Sequence, residues 1–73
     1  MNQVSHQTLL DNGYSTEQIE EILVGQSLFA KAIEDGRFHV PKKVLSQSFL
    51  LSVELEKQIP GIPQTYVEFV RNN

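Results

Sequence analysis

The chain of 73 residues has no cysteine and no long run of apolar residues. Without cysteine, neither a disulfide framework nor a thiolate metal site is available to stabilise the fold. The absence of a long apolar run and of a signal-peptide pattern predicts a cytoplasmic protein with no membrane partner. Residues 1–73 are expected to form a single small domain, whose core is thin because a domain near this size buries only about 60% of the surface that its unfolded chain exposes.

Cations are also scarce, and they are unevenly placed along the chain. The net charge is −3, and residues 1–30 carry four carboxylates with no Lys or Arg. Residues 31–43 carry four cations against two carboxylates, which makes this segment the only basic neighbourhood. A negative net charge argues against strong non-specific binding of nucleic acid. The cations that could bind DNA phosphates are therefore concentrated at residues 31–43.

Residue types that carry catalysis or bind metals show no recognisable arrangement. His6 and His39 are far apart in the sequence and lack the spacing of metal ligands. No Gly-rich phosphate loop and no pairing of a nucleophile with a base is present. We therefore expect a protein that is not an enzyme, with no catalytic residues, no metal and no cofactor.

The clearest local signals lie in the segment 15–36. Ser15 and Gln18 have the spacing of a capping box, which marks the start of a helix. Gly25 and Gly36 are each placed to end a helix, because glycine accepts the left-handed conformation that follows many helices. The pattern predicts two short helices joined by a tight turn at Gly25, with the second helix beginning at Gln26 and Ser27.

A short first helix is predicted at about 5–10, before the turn signal Asp11-Asn12-Gly13. A long helix is predicted from Pro41 to Lys57, because proline suits the first turn of a helix. The Pro-Gly-Ile-Pro segment at 60–63 then ends that helix.

The tail 64–70 fits either a short helix or a strand. We expect a helix, because a lone strand has no partner inside a monomer, although a strand paired across a dimer stays open. The fold class is therefore all-α: a compact bundle of four to five short helices, with a helix-turn-helix-like pair at about 15–36.

The segment 15–36 resembles the helix-turn-helix of small phage repressors of the Cro/CI type, and a looser likeness extends to about Leu55. The resemblance implies a small DNA-binding transcriptional regulator, encoded by a phage or mobile element, that acts as a homodimer on paired half-sites. The residues that would read bases in the major groove are Gln26, Ser27 and Lys31. The residues that would bind phosphates are Arg37, His39, Lys42 and Lys43.

Surplus apolar surface in the second half of the chain keeps an alternative function open. Leu50 and Val53 widen the apolar surface of the predicted long helix beyond what one core contact requires. Tyr66 and Phe69 add apolar surface in the tail. Together with the acidic first 30 residues, these four candidate interface residues are typical of a helical protein-binding module, such as an inhibitor, an anti-activator or an antitoxin-like factor. The long helix and the tail are also the candidate dimer contact.

Overall fold

Five helices make up the computed structural model, which describes residues 5–72. The described residues include no strand, so the prediction of an all-α fold is confirmed, and the tail is helical as expected. In chain order the helices are α1 His6–Asp11, α2 Thr16–Glu34, α3 Lys42–Leu45, α4 Ser48–Gln58 and α5 Gln64–Arg71.

The start of α2 follows the local sequence signals. Gly13 has a φ of +89°, which a residue with a side chain rarely adopts, and it reverses the chain after α1. The backbone N–H of Gln18 donates to Ser15 Oγ at 3.1 Å, and the backbone N–H of Ser15 donates to Gln18 Oε1 at 2.9 Å. The predicted capping box is therefore confirmed, and it satisfies two backbone donors at the N-terminus of α2.

The predicted pair of helices at 15–36 is wrong, because α2 is one continuous helix of 19 residues. Gly25 lies in the middle of it, is buried and does not have a positive φ. A Cβ placed on Gly25 would lie 2.2 Å from Cγ of Tyr66. The glycine therefore lets α2 and α5 approach closely and does not end a helix as predicted.

The C-terminus of α2 matches the prediction made for Gly36. This residue has a φ of +70°, and its N–H donates to the carbonyl of Ile33 at 3.1 Å. The N–H of Arg37 donates to the carbonyl of Ala32 at 2.8 Å. These two bonds form a Schellman motif, which satisfies carbonyls that the end of the helix would otherwise leave unpaired.

The predicted long helix from Pro41 to Lys57 is also wrong, because the chain breaks it into α3 and α4. The Ser46 hydroxyl donates to the carbonyl of Lys43 at 2.9 Å, and Gln47 is extended, with φ −117° and ψ 102°. Serine side chains that bond nearby backbone groups compete with the helix for those groups. The result is an elbow at residues 46–47, between a one-turn helix and a three-turn helix.

The core lies between α2, α4 and α5, with α1 packed on α2. Its buried apolar members are Leu9, Ile19, Ile22, Phe29, Ala32, Leu55, Ile59, Tyr66 and Val67. Ser52 is also fully buried, and its hydroxyl donates to the carbonyl of Phe49 at 2.6 Å. That hydroxyl also accepts a bond from Arg71 Nε at 3.2 Å, so the polar group of Ser52 is satisfied.

Candidate interaction surfaces

Three of the six large apolar side chains that are exposed among residues 5–72, including the most exposed one, lie at the elbow between α3 and α4. Leu45, Phe49 and Leu50 are 47%, 61% and 41% exposed, respectively. Val53 is half-buried and lies four residues after Phe49 and three after Leu50, so the three are neighbours on the outer side of α4. We call Leu45, Phe49, Leu50 and Val53 the elbow patch.

Positive charge without a counter-ion borders the elbow patch on the α3 side. Lys42 and Lys43 are exposed one turn before Leu45, and within residues 5–72 neither has a carboxylate in salt-bridge range. On the α4 side, Glu54 is paired with Lys57 at 3.6 Å. The uncompensated charge beside the patch is therefore positive.

Arg71, which lies on α5, borders another side of the patch. Its guanidinium carbon lies 5.7 Å from the centroid of the Phe49 ring, within the range of a cation–π contact. The same side chain binds Glu56 at 3.1 Å and Ser52 at 3.2 Å. These contacts hold Arg71 in place, so its charge is already engaged and it acts as a fixed border to the patch.

The predicted interface residues separate into two groups in the structure. Leu50 and Val53 belong to the elbow patch, whereas Tyr66 is buried against Gly25. Assigning Tyr66 to an interface is therefore wrong, because its ring forms the contact between α5 and α2. Phe69 is partly buried, with its ring centroid 5.8 Å from that of Tyr14 and 6.4 Å from that of Tyr66.

Sequence reasoning missed Phe49, the most exposed member of the patch. The relevant signal was present, since Phe49 and Val53 are four residues apart on one helix. However, α4 carries apolar residues all round, including the buried Leu55. Which side faced solvent depended on where α5 packed, and the sequence of α4 alone does not contain that information.

The residues predicted to read DNA bases lie on α2, and they differ in their exposure to solvent. Ser27 and Lys31 are exposed, but Gln26 is half-buried and its Nε2 atom is inaccessible, with no hydrogen-bond partner among the described residues. A buried Nε2 argues against the paired hydrogen bonds with adenine that were predicted for Gln26.

The residues predicted to bind phosphates are exposed, but they lie on separate elements. Arg37 and His39 lie in the segment between α2 and α3, where Arg37 pairs with Asp35 at 3.4 Å. The backbone N–H of His39 donates to Gln58 Oε1 at 2.9 Å, and its carbonyl accepts from Gln58 Nε2 at 3.0 Å. Lys42 and Lys43 lie on α3, which packs against α4 and so places them beside the elbow patch.

A second surface feature lies on the side of α2 that faces away from the core. A shallow and mainly apolar groove follows the helix there, and we call it the α2 groove. Its lining residues are Leu23, Val24, Ser27, Leu28 and Lys31. Val24 is 51% exposed, although it lies in the middle of the longest helix.

Comparison of the chain with protein-family models, with curated proteins and with solved structures gives no match. Within residues 5–72, no helix has the length and hydrophobicity needed to cross a membrane. In the same range, no three acidic or histidine side chains lie together in a way that suits a metal ion. The function is therefore inferred from the two surfaces described above.

Proposed function

We propose that this chain is a small helical protein-binding module, and that its elbow patch binds an amphipathic segment of a partner protein that carries acidic residues. The observation that supports this most is the exposure of Phe49, Leu45 and Leu50 within six residues of one another. Exposed apolar side chains that lie this close together along the chain are typical of an interaction site. The proposal follows the protein-binding alternative, but its binding surface is the elbow patch and does not include Tyr66 and Phe69 of the tail.

The apolar contribution to binding can be bounded from the exposed fractions. Complete burial of a Leu, Val or Phe side chain contributes about 1.5–3 kcal/mol. The three exposed side chains of the patch are already about half buried, so each contributes about 1 kcal/mol on docking. The partner's apolar face adds a similar amount, and association costs about 4 kcal/mol or more. The expected complex is therefore weak and exchanges rapidly.

The charges determine which partner fits. Lys42 and Lys43 border the patch without a carboxylate in range among the described residues, so an acidic segment compensates them on docking. Exposed ion pairs add about 0.2–1 kcal/mol each. Their main effects are to orient the partner and to raise the association rate.

DNA binding stays a prediction, and its structural basis now differs from the one expected. The continuous α2 lacks the turn of a helix-turn-helix. The remaining basis is three exposed cations, Lys31 on α2 and Lys42 and Lys43 on α3. Such contacts neutralise phosphates without reading sequence, and because the cations are so few they predict weak binding with a shallow dependence on salt.

Affinity capture with matched variants tests the protein-binding function. The bait is compared with Phe49→Ser, which removes the most exposed member of the patch, and with Ile33→Ser on α2, where Ile33 is 50% exposed. Neither variant changes the net charge. We expect a stoichiometric protein that the wild-type and Ile33→Ser baits retain and the Phe49→Ser bait loses. Equal retention by Phe49→Ser, or no stoichiometric protein with any bait, contradicts the proposal.

Fluorescence anisotropy with a random-sequence DNA duplex at low salt separates the two functions. The double variant Lys42→Glu/Lys43→Glu abolishes binding if the cations hold phosphates, whereas Phe49→Ser leaves it unchanged. We expect no saturable binding by the wild-type chain. Binding that depends on Lys42 and Lys43 but not on Phe49 would instead support a DNA-binding function.

A further inference from the structure

We infer that the α2 groove is a self-association surface, on which a second copy of this chain packs with its own α2 antiparallel to the first. This surface lies on a different helix from the elbow patch, so the inference does not depend on the proposed function. The groove is lined mainly by apolar atoms of Leu23, Val24 and Leu28. The occupant is identified by the charges at its two ends.

The two ends of the groove carry opposite charges. Glu20 lies one turn before Val24, and Lys31 lies one turn after Ser27. Both side chains are exposed, and neither takes part in a salt bridge within residues 5–72. They are eleven positions apart, which is close to three full turns and about 16 Å along the axis, so they lie on the same face.

The charges of Glu20 and Lys31 are complementary between two copies of α2 in one orientation only. The midpoint between Glu20 and Lys31 lies between Gly25 and Gln26, and Val24 and Ser27 flank that same midpoint. A second α2 that crosses antiparallel at this point places its Lys31 against Glu20 and its Glu20 against Lys31. In the parallel orientation, like charges would meet at both ends. The geometry therefore specifies a two-fold symmetric pair.

The centre of the groove suits close packing of two helices. Val24 and Ser27 lie at the crossing point, where the small side chain of Ser27 lets the two backbones approach. Leu23 and Leu28 lie on opposite edges of the groove, and each meets its own counterpart across the two-fold axis. Each copy of the chain thereby covers the exposed Val24 of the other.

The expected dimer is weak, because one helix face is a small interface. Stable complexes generally bury at least about 1,200 Å² in total, and smaller interfaces are usually transient. The dimer is therefore expected to form at micromolar or higher concentrations, so a concentration series is required to detect it.

Sedimentation equilibrium with charge-reversal variants tests the inference. Lys31→Glu alone and Glu20→Lys alone each convert both attractive pairs into like-charge pairs, and each is expected to raise the dimer dissociation constant at least about tenfold. An equimolar mixture of the two variants restores both attractive pairs, so it is expected to form a one-to-one heterodimer. Lys43→Glu makes the same change of charge on α3 and is expected to leave the dimer intact.

Three results would overturn this inference. The first is a wild-type chain that stays monomeric up to about 1 mM, a concentration at which even very weak association is detected. The second is a dimer that Lys31→Glu does not weaken. The third is a mixture of the two charge-reversed variants that does not associate more strongly than either variant alone. The helical fold is expected to be retained in each variant, because both substituted side chains are exposed. Circular dichroism of each variant checks this.

Discussion

Substitution of Gly25 by alanine tests whether the close contact of α2 with α5 organises this fold. In the middle of an exposed helix, replacing glycine with alanine stabilises by about 0.5–1 kcal/mol, because glycine loses more backbone entropy on folding. At Gly25 the new methyl group would lie 2.2 Å from Cγ and 2.3 Å from Cβ of Tyr66. Two effects of opposite sign therefore compete at this position.

The size of the clash decides which effect prevails. Ordinary contacts of a Cβ atom begin at about 3.4 Å, so the two helices must separate by roughly 1 Å. The Tyr66 Cβ is fixed to the backbone of α5 and cannot rotate away. Overpacking of a core costs about 1–3 kcal/mol, and a clash with a rigid neighbour falls at the upper end. After about 1 kcal/mol of helix propensity is subtracted, Gly25→Ala is expected to destabilise by about 2 kcal/mol.

Urea and thermal unfolding measure the difference. For a domain of this size, 1 kcal/mol shifts the Tm by about 4–8 °C, so Gly25→Ala is expected to lower it by roughly 8–16 °C. Ser27→Ala is the matched control, because Ser27 lies two residues later on the same helix and is exposed. That control is expected to be stabilised by a few tenths of a kcal/mol, about 0.5 at most. A Gly25→Ala chain as stable as the control would refute the close-contact account.

Two further predictions concern the second half of the chain. Gln58→Glu removes the donor that binds the His39 carbonyl and places a second carboxylate beside Glu54, with which Gln58 Nε2 now bonds at 2.7 Å, so a loss of about 1–2 kcal/mol of stability is expected. The His39 amide is expected to exchange more slowly in this variant than in Gln58→Met, because a glutamate oxygen still accepts its N–H and methionine offers no such acceptor. Burial raises the pKa of Tyr66 from 10.0 to about 12, so the neutral phenol is favoured in the folded chain. This group is therefore expected to leave the free energy of unfolding unchanged below pH 10 and to lower it as the pH rises towards 12. Urea midpoints measured over this pH range are expected to fall less in Tyr66→Phe, which has no phenol to ionise.

Signals that act within a few residues were predicted correctly from the sequence. Ser15 and Gln18 cap α2, and Gly36 ends it, because every atom in these motifs lies within a few positions along the chain. Pro63 precedes α5 at the expected position for the same reason. Local hydrogen bonding and the φ preferences of glycine and proline are sufficient to specify these boundaries.

The predictions of helix boundaries failed where one local sequence signal is compatible with two different structures. A glycine after an apolar stretch marks either the end of a helix or a close contact between helices, and only the position of Tyr66 distinguishes the two at Gly25. The break at Ser46 and Gln47 was missed as well, because serine is tolerated inside helices unless its side chain bonds the backbone.

The candidate surfaces show the same division. The local excess of cations at residues 31–43 and the surplus apolar residues of α4 are both legible in the sequence. The sequence does not show that the cations and the apolar residues meet at the elbow, because that depends on the packing of α3 against α4. The sequence by itself determined the two ends of α2, the all-α class and the presence of more apolar side chains than a thin core can bury. The tertiary structure alone decided which of them stayed exposed, because burial depends on contacts such as that of Tyr66 with Gly25, between residues 41 positions apart.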